Sequence, residues 1–153
     1  MAAVVLAALT LGLTGCSKDN EDLIIGTWDV YAISETISNA TIPAMNGSAE
    51  ESVMDGMSMS LTFNKDNTGL MVTEFNLFGV NEKEENTFTY TVDGDKLSMV
   101  INYGDFTKTE VSTIDKLDKK ELWITGSGHD SDYDDDGNAY EYDYVSTIKL
   151  KKA

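Results

Sequence analysis

The 153-residue sequence contains no arginine, and its 11 bases are all lysine, set against 27 aspartates and glutamates. A net charge of −16 leaves no basic patch for nucleic acid or an anionic lipid surface, and both need one. Without arginine the planar, bidentate clamp for phosphate or carboxylate is missing as well. There is one histidine, His129, and one cysteine, Cys16. A lone cysteine rules out an internal disulfide and a cysteine zinc site. A Ser-His-Asp triad would have to use His129, which lies in a Gly-Asp stretch with no nucleophile-elbow pattern nearby. Paired carboxylates could still do glycosidase chemistry, but among 27 acids some pair always lies close, so that signal has no specificity. The expectation is a protein that is not an enzyme and has no resident organic cofactor. No apolar run approaches the roughly 20 residues that a membrane-spanning helix needs.

What the chain does have begins with Ala2-Ala3-Val4-Val5-Leu6-Ala7-Ala8-Leu9-Thr10-Leu11-Gly12, followed by Leu13-Thr14-Gly15-Cys16. A short apolar run ending in small residues reads as a secretory segment with its cleavage site. Leu-Thr-Gly-Cys in that place resembles the lipobox of bacterial lipoproteins. The resemblance implies diacylglycerol on the Cys16 thiol, cleavage after residue 15, and acylation (a palmitate-type chain) of the new amino terminus. Such a segment usually opens with lysine or arginine, whereas here Met1 runs into Ala2, so the true translation start is left open. Residues 16–22 then form a charged tether. An acidic stretch with a lysine just after the lipidated cysteine resembles the surface-export signals of Bacteroidota lipoproteins. That resemblance implies an outer-membrane lipoprotein on the cell surface; a generic flexible linker, with the domain on the periplasmic face, is the alternative.

Residues 23–153 read as one domain built of strands. Met57 to Asn64 alternates: Met57, Met59, Leu61 and Phe63 on one face, Ser58, Ser60, Thr62 and Asn64 on the other. Phe88, Tyr90 and Val92 repeat the pattern, as do Leu97, Met99 and Ile101. Between the runs lie turn signals: Asp66-Asn67-Thr68-Gly69, Asp93-Gly94 and Tyr103-Gly104-Asp105. Residues 35–56, with the only proline (Pro43), read as a long loop, 79–86 as a charged connection, and 127–139 as an acidic loop. About eight strands on short turns, with no intervening helix, predict an all-β, eight-stranded antiparallel up-and-down β-barrel.

Ile25-Gly26-Thr27-Trp28 resembles the Gly-x-Trp motif of lipocalins. Leu61-Thr62-Phe63-Asn64 with its turn, Phe88 to Leu97, and Ile114-Asp115-Lys116-Leu117 with Glu121-Leu122-Trp123-Ile124 are similar to bacterial lipocalin-like domains. The likeness spans about residues 23 to 152. It implies a barrel whose floor is closed by Trp28 beneath a basic residue near the C-terminus, here Lys149 or Lys151. Gly26 and Trp28 are therefore expected to be structural, with the glycine giving the ring room.

Two places are candidates for function. The first is the inward face, with Met57, Met59, Phe63, Phe88, Tyr90, Met99, Tyr142 and Tyr144 as ligand-binding residues; a barrel of this size is either filled by side chains or holds one small ligand. The second is the acidic loop. Asp132-x-Asp134-x-Asp136-Gly137 matches the core of a calcium loop, with Asn138 offering a carbonyl and Asp143 at the twelfth position, and a solvated hairpin loop is the alternative. The expected function is a lipid-anchored envelope protein that binds a small apolar or amphipathic ligand without turning it over. The alternative is a surface module with a filled barrel, contacting protein or glycan through 35–56 and 127–139, with calcium as a stabilising ion.

Overall fold

A computed structural model describes residues 17–53, 55–77 and 79–153. Cys16 and segment 1–15, and with them the signal-peptide and lipidation readings, lie outside the described residues. A short helix α1 (Ser17–Leu23) leads into β1 (Gly26–Ser38). A 3-10 turn (Pro43–Met45) precedes β2 (Gly47–Ser52), β3 (Met57–Phe63), β4 (Thr68–Leu77), β5 (Val80–Asp93), β6 (Lys96–Asn102), β7 (Thr107–Leu117), β8 (Glu121–Tyr133) and β9 (Ala139–Lys152). From β3 to β9 each strand pairs antiparallel with the next, and β9 returns to β1. With the β1–β3 pairing this closes an eight-stranded up-and-down barrel, and β2 is an extra strand on β1.

The expected fold class is therefore present, with four corrections. The tether is helical over Ser17–Leu23, and the first strand starts at Gly26. The 35–56 loop holds the end of β1, the 3-10 turn and β2. The charged connection 79–86 is the first half of β5. The acidic loop shrinks to 134–138, because β8 runs to Tyr133 and β9 begins at Ala139. In the last three cases the strand is exposed on both faces, over β2, the start of β5 and the end of β8, so it carries no alternating hydrophobicity.

Turn chemistry fixes the hairpins. Thr68 N–H and O–H both donate to Asp66 Oδ1, at 3.1 and 2.6 Å, and Asn67 takes the left-handed conformation at φ 63°. Gly94 does the same at φ 65° between β5 and β6.

The core fills one half of the barrel. Trp28, Leu97, Leu122 and Leu150 are fully buried there, packed with Phe63, Phe88, Tyr90, Met99 and Ile101. At the floor the Trp28 indole N–H donates to Ile24 O at 2.7 Å. Lys152 lies over the ring, its Nζ 4.1 Å from the centroid, and donates to Ile25 O. The register pairs Trp28 with Lys152, so this lysine, and not Lys149 or Lys151, covers the tryptophan. Burial pushes the Lys152 pKa down. Gly26 makes room for the lysine rather than for the indole: at φ 121°, a Cβ there would sit 2.6 Å from Lys152 Nζ.

Closure is incomplete at the other end. β1 pairs with β3 only over Gly26–Asp29, then with β2 over Ala32–Ile37. β7 pairs with β8 only between Thr113 and Leu117, although β6–β7 pairing continues to Thr107 and β8–β9 pairing to Tyr133. Two seams thus split the upper barrel into a sheet of β2, β1, β9 and β8 facing a sheet of β3 to β7.

Trp28→Ala should cost about 3–5 kcal/mol, because the emptied floor cannot collapse around a rigid sheet. The melting temperature should fall well below that of the parent, and an unchanged value would show that Trp28 does not close the floor.

Candidate functional site

The site is the inner face of the split end. Along β1 the inward residues are Trp28 and Val30, then Ile33, Glu35 and Ile37, because a bulge at Tyr31 shifts the phase between Val30 and Ala32 against β9. Where β1 gives up β3 for β2, a cleft of about 330 Å³ opens between β2 and β3. Val30, Ile33, Val53, Met57 and Met59 form its apolar wall. Glu35 and Glu51 are its charged lining residues.

On the other edge of β1, beside the cleft, the inner face of β9 carries Tyr140, Tyr142 and Tyr144, with ring centroids 5.4 and 6.5 Å apart along the row. Gly128 on β8 lets the last ring lie flat: a Cβ there would meet the Tyr144 hydroxyl oxygen at 2.8 Å. Asp130 and Asp132 are the cross-strand partners of Tyr142 and Tyr140. Burial raises the Tyr142 pKa, and the charges of Asp130, Asp132 and Glu35 raise it further. Lys108 on β7 is held by Glu110 at 2.9 Å, which raises the lysine pKa.

The eight expected ligand residues fall at two levels. Met57 and Met59 line the cleft, and Tyr142 and Tyr144 line the facing sheet. Phe63, Phe88, Tyr90 and Met99 belong to the closed core, each no more than 5% exposed. The three rings meet edge to face at 5.0–6.2 Å, and Tyr90 O–H donates to Asn64 O at 2.7 Å. These four are packing residues, because alternation tells which face a side chain takes but not how high along the barrel it lies. Val53, Ile33, Glu35 and Glu51 were not expected at the site. The one sequence signal for them is the spacing of Val30 and Ile33, three residues apart in an otherwise two-residue alternation, which marks the bulge.

The five calcium candidates do not converge. Asp134 caps its own turn: Oδ1 accepts the backbone N–H groups of Asn138 and Asp136 at 2.7 and 3.1 Å, and the Asn138 amide donates to Oδ2 at 2.9 Å. These bonds lower the Asp134 pKa, the Asn138 side chain most. Asp132 and Asp143 are in the β8–β9 ladder, where the pleat sends them to opposite faces. Asp136 lies in the turn between them. Among the described residues no three His, Cys, Asp or Glu side chains gather to hold a metal ion. Asp143 instead accepts from the Asn39 amide at 2.8 Å and meets His129 Nδ1 at 2.9 Å on the outer face.

No protein-family model matches this chain, and no curated protein matches it. Among solved structures it is similar to odorant-binding protein from bovine nasal mucosa, at 18% identity over 88% of this chain and 72% of that one, with a TM-score of 0.41. The complex of the bovine protein with undecanal gives 18% identity, 85% and 71% coverage, and a TM-score of 0.41. The siderocalin Ex-FABP gives 13% identity, 85% and 74% coverage, and 0.42. At these scores the likeness does not bear on a ligand, and the barrel follows from the strand pairing itself.

The single histidine offers a clean test of the outer-face geometry. The Asp143 hydrogen bond raises the His129 pKa above its ordinary 6.5, and Glu141 and Asp130 add to this. Asp143 is lowered, by its bond from Asn39 first and by His129 next. A raised histidine pKa means that the pair stabilises fully below the ordinary histidine value and loses its effect as pH rises through the folded one. A lowered aspartate pKa means that its share is present above the ordinary aspartate range and is lost on acidification. The His129 ring resonances should titrate above 6.5, and in Asp143→Asn the midpoint should fall back toward it. A parent midpoint at or below 6.5 would show that the pair does not form.

Proposed function

We propose that this chain is a lipid-anchored cell-envelope lipoprotein whose barrel binds one small amphipathic molecule at its split end and releases it unchanged. The observation that carries the reading is the cleft of about 330 Å³ between β2 and β3, walled by Val30, Ile33, Val53, Met57 and Met59. Its volume is at the lower end of the range for small-molecule sites, roughly 300–1,000 Å³. Methionines suit such a wall, because an unbranched, polarisable side chain adapts to its occupant.

The position of the tether agrees with this. Helix α1 packs at the closed end, with Asn20 Nδ2 donating to Gly94 O at 2.8 Å and Ile24 fully buried. An acyl chain on Cys16 would hold the barrel by its floor and leave the split end pointing away from the membrane. In the alternative reading, residues 35–56 and 127–139 contact a protein or glycan. Those segments supply β2 and the upper ends of β1 and β8, on the sheet that bounds the same opening, so both readings lead to one surface.

Native mass spectra of residues 17–153 purified from cells should show a retained organic mass, and the Met59→Glu variant should lose it. The protein mass alone, at undisturbed fold, would overturn the reading of the cleft. Separately, Cys16→Ala should abolish incorporation of labelled fatty acid, and equal labelling would remove the anchor.

A further inference from the structure

The cleft is apolar along its wall and acidic at its rim, and this limits what can occupy it. Resting on the proposed function, we infer that the occupant is an organic cation with an apolar tail, of the alkylamine or quaternary ammonium class. Four observations converge on the charge. Glu35 and Glu51 line the cleft, and both face inward from neighbouring strands, since Glu51 pairs with Ile33 and Glu35 with Ala49. Neither forms an ion pair among the described residues. Lys108 is the one base on the inner face of the split end among the described residues, and Glu110 already holds it at 2.9 Å. Beyond Glu35, the tyrosine row on β9 presents π-faces flanked by Asp130 and Asp132.

The physical logic is one of complementarity. Carboxylates exposed at the rim of an apolar wall repel an anion, and their field is unanswered by a neutral tail. A cation satisfies them, and the negative faces of Tyr142 and Tyr144 attract it further. Val30, Ile33, Val53, Met57 and Met59 would take the tail, with the head group between Glu35, Glu51 and the tyrosine row. The charge of −16 raises the local concentration of any cation but is spread over the whole surface, so it selects no particular place.

The test uses the full chain carrying Cys16→Ser and three probes of equal tail length, each below its micellar concentration: decyltrimethylammonium, decanol and decyl sulfate. Titration calorimetry should give one-to-one binding of the ammonium, roughly tenfold or more tighter than the other two. Glu35→Gln with Glu51→Gln should remove that preference and leave the decanol affinity in place. The outer-face pair Glu74→Gln with Glu85→Gln makes the same charge change and should keep it. Decanol or decyl sulfate binding as well as the ammonium would overturn the cation inference while leaving the cleft as a binding site. Equal weakening in both double variants would overturn it too, as it would assign the preference to diffuse surface charge. If none of the three probes binds, the proposed function falls together with this inference.

Discussion

A strand has two edges, and β1 must serve three partners. One edge is taken by β9 from Trp28 to Ser38. The other edge is shared, with β3 from Gly26 to Asp29 and β2 from Ala32 to Ile37. A backbone edge holds one neighbour at each rung, so every rung given to β2 is denied to β3. The upper part of β3 is left with β4 alone, Met57 opposite Phe75. The bulge at Tyr31 falls at the handover, and the Tyr31 carbonyl accepts the Val53 N–H at 3.3 Å as the chain changes neighbours. A bulge bends its strand, and here it turns the upper half of β1 away from β3. The cleft therefore follows from hydrogen-bond valence and not from any missing side chain.

The closed half of the barrel was legible in the sequence and the split half only in part. Strands with a dry face and a wet face alternate. Met57 to Phe63 and Phe88 to Val92 do so, and each lies where alternation puts it. Gly47–Ser52, residues 80–85 and the end of β8 have water on both faces, so nothing selects an apolar residue at every second place. They read as loops although they are strands. Half of the candidate site followed from alternation, as Met57, Met59, Tyr142 and Tyr144 show. The other half needed the β1–β2 pairing, which brings Glu51 beside Ile33 across a stretch that shows no strand pattern of its own. The five residues of the Asp-rich match to a calcium loop stand apart for a related reason. Spacing along the chain describes a loop wrapped round an ion, whereas a hairpin ladder sends Asp132 and Asp143 to opposite faces.

Lysine takes the structural places where arginine is more often used. Lys152 covers Trp28, while Lys116 and Lys149 both lie over the Trp123 ring on the outer face, 5.0 and 5.1 Å from its centroid. An ammonium over an indole needs no planar fork, so the lack of arginine costs these contacts little. The remaining ion pairs are surface pairs, such as Lys83 with Glu74 and Glu85, each half exposed. Such pairs contribute about 0–1 kcal/mol. They do not explain how so acidic a chain holds together. The burden falls on the closed core, where Trp28, Phe63, Leu97, Leu122 and Leu150 are buried almost completely.

This division of labour gives the split end its character. Among the described residues the largest fully buried side chains, Trp28, Phe63, Ile24, Leu97, Leu122 and Leu150, all lie in the closed half. Above it, Ile33 stays 36% exposed and Met57 and Met59 are only half buried. That surface stays wet because the sheets on either side of the seam share no backbone hydrogen bonds there, and so nothing draws β2 against β3. A molecule seated between them would cover the same side chains from both sheets at once. It would gain the burial that folding left incomplete, and anything that binds the folded state alone also stabilises it. The cleft is thus the place where the strand topology stops the chain from finishing its own packing, and where an outside molecule can finish it.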